Sequence, residues 1–216
     1  MGKIVDIDEM MYSCGLEILH PGGIEKTDEM ARMCEIGKGK KVLDIGSGKG
    51  DFLKKDAAHF VGIDINSELV EECNKLNLNA CCMSALNIEF PLNSFDAVRS
   101  TQLIEHLSPK DAVRFLLEAS KVLKNNGIIF ITTPGIKNVW NTFSHIKPYP
   151  PKSFYKLLSC PTEGYVAEKK IPLKLEKYYG HRCYYKNKVL KFIFGLIDIA
   201  IPPKNPIGWT IILRKN

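Results

Sequence analysis

Thirteen residues constrain this chain more than any others: Lys40-Lys41-Val42-Leu43-Asp44-Ile45-Gly46-Ser47-Gly48-Lys49-Gly50-Asp51-Phe52. A short apolar run ends in Asp44. Glycines then fall at alternate positions, and a helix-like stretch follows. That order describes a buried parallel strand, a tight turn and a helix N-terminus. Glycine has no Cβ and tolerates positive φ, so a ligand can lie against bare backbone at such a turn.

The pattern continues downstream. Lys41 to Ile45 is the first predicted strand and Gly50 to Ala58 a short helix. Phe60 to Ile65 is a second apolar strand, with Asp64 near its end. Asn66 or Ser67 caps a helix over about 67 to 76, with Glu68, Glu71 and Glu72 near its positive end. Ala80 to Met83 is a third strand. The turn Pro91-Leu92-Asn93-Ser94 leads into a fourth, Phe95 to Ser100. Ser108-Pro109-Lys110-Asp111 is a capping box with proline at the first helical position. It opens a helix to about Lys124, which Asn125-Asn126-Gly127 closes before a fifth strand, Ile128 to Thr132. Strands that alternate with helices predict a parallel sheet covered on both faces, with ligands at the C-terminal ends of the strands.

The flanks are less regular. Residues 3 to 35 read as a helical preface whose first twenty residues are either a lid or packing. Residues 134 to 151 form a loop rich in aromatics and prolines, followed by a helix at about 152 to 158 and strand-like stretches near 165 to 185. Lys188 to Ile201 is a very apolar, helix-like segment, and Ile207 to Leu213 is the last strand. With 216 residues and 45% hydrophobic composition, the chain suits one domain with a sizeable core.

Composition excludes several classes. A net charge of +6 is mild, and the basic residues are scattered, so nucleic acid is not supported as a partner. The seven cysteines (Cys14, Cys34, Cys73, Cys81, Cys82, Cys160 and Cys183) include no Cys-x-x-Cys pair and no zinc spacing. Cys81 and Cys82 read as core thiols. No secretory leader is indicated and no apolar run reaches the roughly 20 residues of a membrane span, so a reducing, cytoplasmic setting is expected. No paired carboxylates suggest a catalytic magnesium, and no metal is expected.

The glycine spacing narrows the ligand. A dinucleotide fingerprint places its third glycine one residue later, and a phosphate loop needs Lys-Ser/Thr after its last glycine, where this chain has Asp51. Asp44 would repel a pyrophosphate and welcome a cation. Asp64, ending the second strand, suits two ribose hydroxyls. These residues call for a nucleoside that carries a ribose and a cationic or amino-acid-like arm.

Four stretches in register resemble the class I S-adenosylmethionine-dependent methyltransferases, in particular the type 11 domain. They are Val42 to Gly50, Val61-Gly62-Ile63-Asp64, Phe90 to Val98, and Leu123 to Gly127 leading into Thr132-Thr133-Pro134. The resemblance covers about residues 40 to 134. It implies an α/β, Rossmann-like, seven-stranded, mostly parallel sheet. It also implies a single domain over 1–216, with a preface at 1–39, a cofactor core at 40–134, and an acceptor-side loop, lid and last strands at 135–216. S-adenosylmethionine is the implied cofactor and S-adenosylhomocysteine the product. Asp44, Gly46, Ser47, Gly48 and Gly50 hold the methionine arm by this resemblance, and Asp64 the ribose. Ser84 and Ala85 stand where the family often has Asp-Ala near the adenine amino group, and Ser100 ends the fourth strand. Ile65 packs on the adenine or belongs to the sheet core. Asp96, at the start of the fourth strand, reads as structural.

The acceptor belongs to the second half. Glu105-His106-Leu107 after the fourth strand is similar to a Glu-His-Leu of the family, and His106 lines the pocket or serves as a base. Trp140 followed by His145-x-x-Pro148-Tyr149 resembles a loop in relatives that act on glycan, lipid or quinone-like acceptors. His145 is the first choice for a base or acceptor contact, against a loop-stapling role. Trp140 and Tyr149 stack on the acceptor or cover the sheet end. Residues 188–201 pack as a lid, meet a partner, or touch a membrane surface, with Lys186, Lys188, Lys191 and Lys204 alongside. The acceptor is thus a small molecule, sugar, glycan or lipid-like compound. A nicotinamide-dependent oxidoreductase and a non-catalytic cofactor-binding subunit are the competing classes.

Overall fold

The computed structural model describes residues 39–159, 170–181 and 203–216. The preface, the 188–201 segment and four of the cysteines lie outside these residues.

One seven-stranded sheet carries the fold. Its strands are β1 (Val42–Ile45), β2 (Phe60–Asp64), β3 (Ala80–Cys82), β4 (Phe95–Thr101), β5 (Leu123–Pro134), β6 (Leu173–His181) and β7 (Gly208–Lys215). They lie in the order β3-β2-β1-β4-β5-β7-β6. The first five are parallel, and β7 runs antiparallel between β5 and β6. The order reverses between β1 and β4, and a crevice opens beyond the strand ends at such a reversal.

Among the described residues, three α-helices flank the sheet: α1 (Ser67–Lys75), α2 (Pro109–Val122) and α3 (Pro151–Ser159). Asn66 caps α1 by accepting from the backbone N–H groups of Glu68 and Leu69. Ser108 caps α2 by accepting from Asp111 N, with Pro109 at the first helical position, as the capping box predicts. Ala112, Val113, Leu116 and Ala119 of α2 pack with Leu43, Ile45, Val98, Ile129 and Ile131 in one continuous core. Opposite side chains of the same strands, Val42, Ala97, Ile128, Phe130 and Ile212, form a second layer under Phe52 and Phe60. Alternation along each strand sends neighbours to opposite faces, so both faces are apolar.

Four local expectations change. The helix predicted from Gly50 to Ala58 is a single 3-10 turn at Leu53–Lys55; Phe52 stacks on Phe60 at 4.6 Å instead of continuing a helix. The extended path of β5 begins at Leu123, so Asn125-Asn126-Gly127 lies within that strand, with Asn126 at φ 62. Of the 165–185 stretch, Leu173–His181 is the described strand. Cys82 is exposed rather than a core thiol.

Asp96 sits at the opposite edge from the crevice. It accepts from Lys41 N at 2.9 Å and from Lys124 Nζ at 2.9 Å, which ties the starts of β1, β4 and β5. Burial pushes its carboxyl up, but the Lys124, Lys41 and Lys40 contacts outweigh this and hold it below its ordinary value.

Candidate functional site: a cofactor cradle and an acceptor-side cluster

The glycine turn is set by its backbone. Gly46 N and Ser47 N both donate to Ile63 O, at 2.8 and 3.0 Å, and Gly50 N donates to Ser47 O at 3.0 Å. Gly46, Gly48 and Gly50 all take positive φ, at 75°, 50° and 73°. The three differ in surroundings. A Cβ on Gly48 would meet nothing within 4 Å, so this residue leaves open space on the crevice side. A Cβ on Gly50 would strike Cys73 Sγ and Leu78 Cδ1 at 2.8 Å, so Gly50 serves the packing of the turn on α1. The Cys73 thiol also donates to Gly48 O at 3.4 Å, which holds the turn from behind.

Asp64 reaches from the end of β2 to the turn. Its Oδ2 accepts from Gly48 N at 3.0 Å and its Oδ1 from Asn66 N at 2.9 Å. Each oxygen keeps a lone pair for a further donor. Next to it Ile65 is 78% exposed, so it is not sheet core: a large apolar side chain stands free beside a carboxylate. Ser84 is half-buried, and its Oγ accepts from Leu86 N at 3.1 Å, leaving the hydroxyl proton to donate outward. Ala85 is half-buried alongside it.

Asp44 holds the main surprise. It is fully buried, and Arg99 of β4, directly opposite in register, donates from Nη1 to Asp44 Oδ1 at 2.6 Å. The Arg99 guanidinium also lies over the Phe52 ring at 4.4 Å. Burial pushes the Asp44 carboxyl up while Arg99 pulls it down. The negative charge of Asp44 is thus matched within the protein by Arg99. What Asp44 presents is Oδ2, an acceptor with no partner among the described residues.

It is not alone. Ser47 Oγ, Ser100 Oγ, Gln102 Nε2 and Thr132 Oγ1 are also buried without partners among the described residues, all at or near the C-terminal ends of β1, β4 and β5. Buried polar groups are normally satisfied, so a concentration of exceptions marks a place where a ligand supplies the partners. Gln102, just past β4, is in the left-handed region at φ 52, backbone strain of the kind that gathers at functional sites.

A second cluster lies beyond β4 and β5. Glu105 and His106 belong to a 3-10 turn at Ile104–His106, and His145 to the loop after β5. The loop is bolted down. Ile146 N donates to Glu105 O at 2.8 Å, Tyr149 Oη donates to Leu107 O at 2.8 Å, and Gly135 N donates to Ile207 O at 2.8 Å. Each imidazole meets a carbonyl: His145 Nδ1 lies 2.8 Å from Val139 O, and His106 Nδ1 3.3 Å from Ser144 O. Carbonyls only accept, so both rings carry the proton on Nδ1 and the lone pair on Nε2. The rings pack edge to face at 4.6 Å. Burial and His145 hold His106 below its ordinary pKa, opposed by the Ser144 carbonyl. Glu105 is fully buried; its Oε2 accepts from Thr133 Oγ1 at 3.2 Å, and Oε1 has no partner among the described residues. Burial pushes its carboxyl up to about 7.

Sequence reasoning gave His106 as a pocket-lining residue or base and His145 as a base, acceptor contact or loop staple; the fold brings the two rings into contact. It passed over Glu105 as a functional group, although the Glu-His pair was legible, and it missed Arg99 altogether. Tyr149 is buried with its hydroxyl spent on Leu107, so it staples the loop. Burial, helped by Asp111, pushes that phenol up to about 12. Trp140 is exposed and open to solvent, with Ile136, Phe143 and Ile146 exposed on the same loop.

Residues 43–131 match the family described as "Methyltransferase domain", type 11. The chain is 32% identical over 154 residues to a phosphoethanolamine N-methyltransferase of Plasmodium falciparum, covering 67% of this chain and 58% of that protein. It is 30% identical over 105 residues to a ubiquinone biosynthesis O-methyltransferase of Coxiella burnetii, covering 44% of each. The chain thus spans less than two thirds of the length of these curated relatives. Among solved structures, an S-adenosylmethionine-dependent methyltransferase of Archaeoglobus fulgidus superposes with a TM-score of 0.62 at 22% identity, covering 88% of this chain and 94% of that one. That likeness establishes the fold.

The residues present fit the cofactor of this family. Asp44 Oδ2 and the open face of Gly48 suit an ammonium-bearing arm, the spare lone pairs of Asp64 suit a diol, and exposed Ile65 suits the face of a base. With these groups gathered at the β1–β4 reversal and the match running from Leu43 to Ile131, residues 43–131 form a class I S-adenosylmethionine-dependent methyltransferase domain.

Proposed function

We propose that this protein transfers a methyl group from S-adenosylmethionine to a small-molecule acceptor, sugar or lipid-like, held between the ends of β4 and β5 and the 135–150 loop. The observation that carries this reading is the row of unsatisfied buried polar atoms along the crevice, from Asp44 and Ser47 to Ser100 and Glu105. It spans the distance from cofactor cradle to acceptor wall. When bound, the cofactor supplies a sulfonium methyl open to in-line displacement.

The chain's own work is positioning, which can supply a large part of such a rate. Asp64 receives the ribose hydroxyls, Ile65 covers the base, and Ser84 and Ala85 border it. Gly46 to Gly48, with Asp44 Oδ2, receive the methionine arm. Gly50 supports them from behind. His106 and His145 face the acceptor, and the exposed apolar residues Trp140 and Ile146 favour one with an apolar part. The relatives named for phosphoethanolamine and for ubiquinone biosynthesis support a small acceptor.

Isothermal titration with S-adenosylhomocysteine tests the cradle. Wild type is expected to bind, and Asp64→Ala to bind at least tenfold more weakly, about 1.4 kcal/mol, since charge-assisted hydrogen bonds to the ribose are lost. Equal affinities, or tight binding of NAD with none of S-adenosylhomocysteine, refute the reading. Ile65→Ser separates binding from folding. Because Ile65 is exposed, its melting temperature is expected to match wild type, while the dissociation constant rises several-fold.

A further inference from the structure

Glu105, His106 and His145 form a constellation that methyl transfer does not by itself require. Each offers a ligand atom, and these atoms lie within 4.8 Å of one another. Two imidazoles and one carboxylate are a donor set for a first-row divalent metal, and this set leaves coordination positions open. At bonds of about 2.1 Å, ligands at right angles stand about 3 Å apart, so small side-chain rotations close the span.

The outer contacts are those of metal ligands. A ligating histidine nearly always gives its other ring N–H to a carbonyl or carboxylate, which fixes tautomer and orientation. His145 does this through Val139 O and His106 through Ser144 O. Both keep the Nε2 lone pair. Thr133 holds one oxygen of Glu105 and leaves the other, Oε1, buried and unpartnered among the described residues. Glu105 is also a fully buried acid with no ion pair among the described residues, whereas buried charges are ordinarily paired or coordinate a metal. The rivals for a structural reading are weaker. The imidazole pair alone would not need a carboxylate aimed at it, and Glu105 is not used to hold the loop except through its backbone carbonyl.

We propose that Glu105, His106 and His145 bind a divalent transition-metal ion whose open positions take an oxygen of the methyl acceptor. The site lies past the ends of β4 and β5, on the acceptor side of the crevice. The metal part stands on these three residues alone. The acceptor part rests on the methyl-transfer reading and makes the acceptor a hydroxyl compound, not an amine: a hydroxyl on such an ion is acidified, as bound water is.

The test uses the full chain, stripped with a chelator and then titrated with Co²⁺ alone, reading the visible absorption bands, and with Zn²⁺ and Mn²⁺ by calorimetry. One equivalent is expected to bind with micromolar or tighter affinity. His145→Ala and the near-isosteric Glu105→Gln are each expected to weaken it at least tenfold while circular dichroism stays that of wild type. S-adenosylhomocysteine titration in the same samples is the separate readout. Metal binding without cofactor binding overturns the methyl-transfer reading and keeps the metal site. Cofactor binding with no metal uptake at millimolar ion overturns the metal site and keeps methyl transfer. Metal uptake unchanged in folded Glu105→Gln and His145→Ala places the ion elsewhere and also overturns the site.

Discussion

Gly135→Ala is expected to lower the melting temperature by roughly 6–12 °C, the shift that about 3 kcal/mol produces in a chain of this size. Gly135 follows β5 directly and donates to Ile207 O at 2.8 Å. An added Cβ would lie 2.0 Å from the carbonyl oxygen of Pro206. That obstacle is backbone, not the end of a flexible side chain, so it moves only if the segment entering β7 moves with it. Ile207 N donates in turn to His181 O, so the disturbance reaches β6. Overpacking commonly costs about 1–3 kcal/mol, and the lost backbone hydrogen bond adds about 1. Differential scanning calorimetry decides the matter. A melting temperature within 2 °C of wild type, a difference of roughly 1 kcal/mol or less, would mean that the 203–207 segment does not pack on Gly135 as described.

The second large effect is expected at Arg99. Arg99→Met removes the guanidinium from Asp44 and leaves a carboxyl buried without its counter-charge, which typically costs about 3–5 kcal/mol. Arg99→Met with Asp44→Asn is expected to recover most of that loss, because the buried charge leaves along with its partner. The pH dependence has a definite sign. Burial holds the Asp44 carboxyl above its ordinary value even with Arg99 present; without Arg99, burial and the nearby Asp64 charge act unopposed and raise its folded pKa further above the unfolded value. The native state then binds more protons, and stability falls as pH rises. The deficit of Arg99→Met relative to wild type should therefore shrink as pH is lowered from 7.5 towards 5.5. Urea unfolding of the four-member cycle measures it. A single mutant as stable as wild type, or a deficit that grows on acidification, would show that Asp44 does not depend on Arg99.

These two sites show which kinds of information a linear sequence carries. Val42 to Gly50 was legible because its meaning is local: an apolar run, a carboxylate and glycines forced to positive φ occupy consecutive positions. Asp64 was legible for the same reason, as the polar end of an apolar strand. The capping box at Ser108 and the alternation of strand and helix followed from short-range rules. Arg99 was not legible. It lies in an apolar strand, 55 residues from Asp44, and only the parallel register of β1 and β4 places the two opposite each other. The Glu105, His106 and His145 cluster is similar: two members are adjacent in sequence, and the third arrives through a loop whose path depends on hydrogen bonds to carbonyls. Ile65 was ambiguous because an apolar residue at a strand end reads alike whether it points inward or stands in the open. The helix expected after Gly50 was lost to a tertiary contact, the stack of Phe52 on Phe60 beneath Arg99, which local propensity does not register.

The bolts on the 135–150 loop have an energetic consequence for whatever docks there. Ser144 and Ile146 are tied to the 3-10 turn at Ile104–His106, Tyr149 to Leu107 just after it, and Val139 to His145 within the loop. A wall already fixed has little conformational entropy left to surrender on binding, and ordering flexible segments is among the larger penalties of association. On the methyl-transfer reading proposed above, most of the freedom surrendered is then the acceptor's. Such a wall selects by shape, holding a narrow set of rigid compounds well and adapting poorly to the rest.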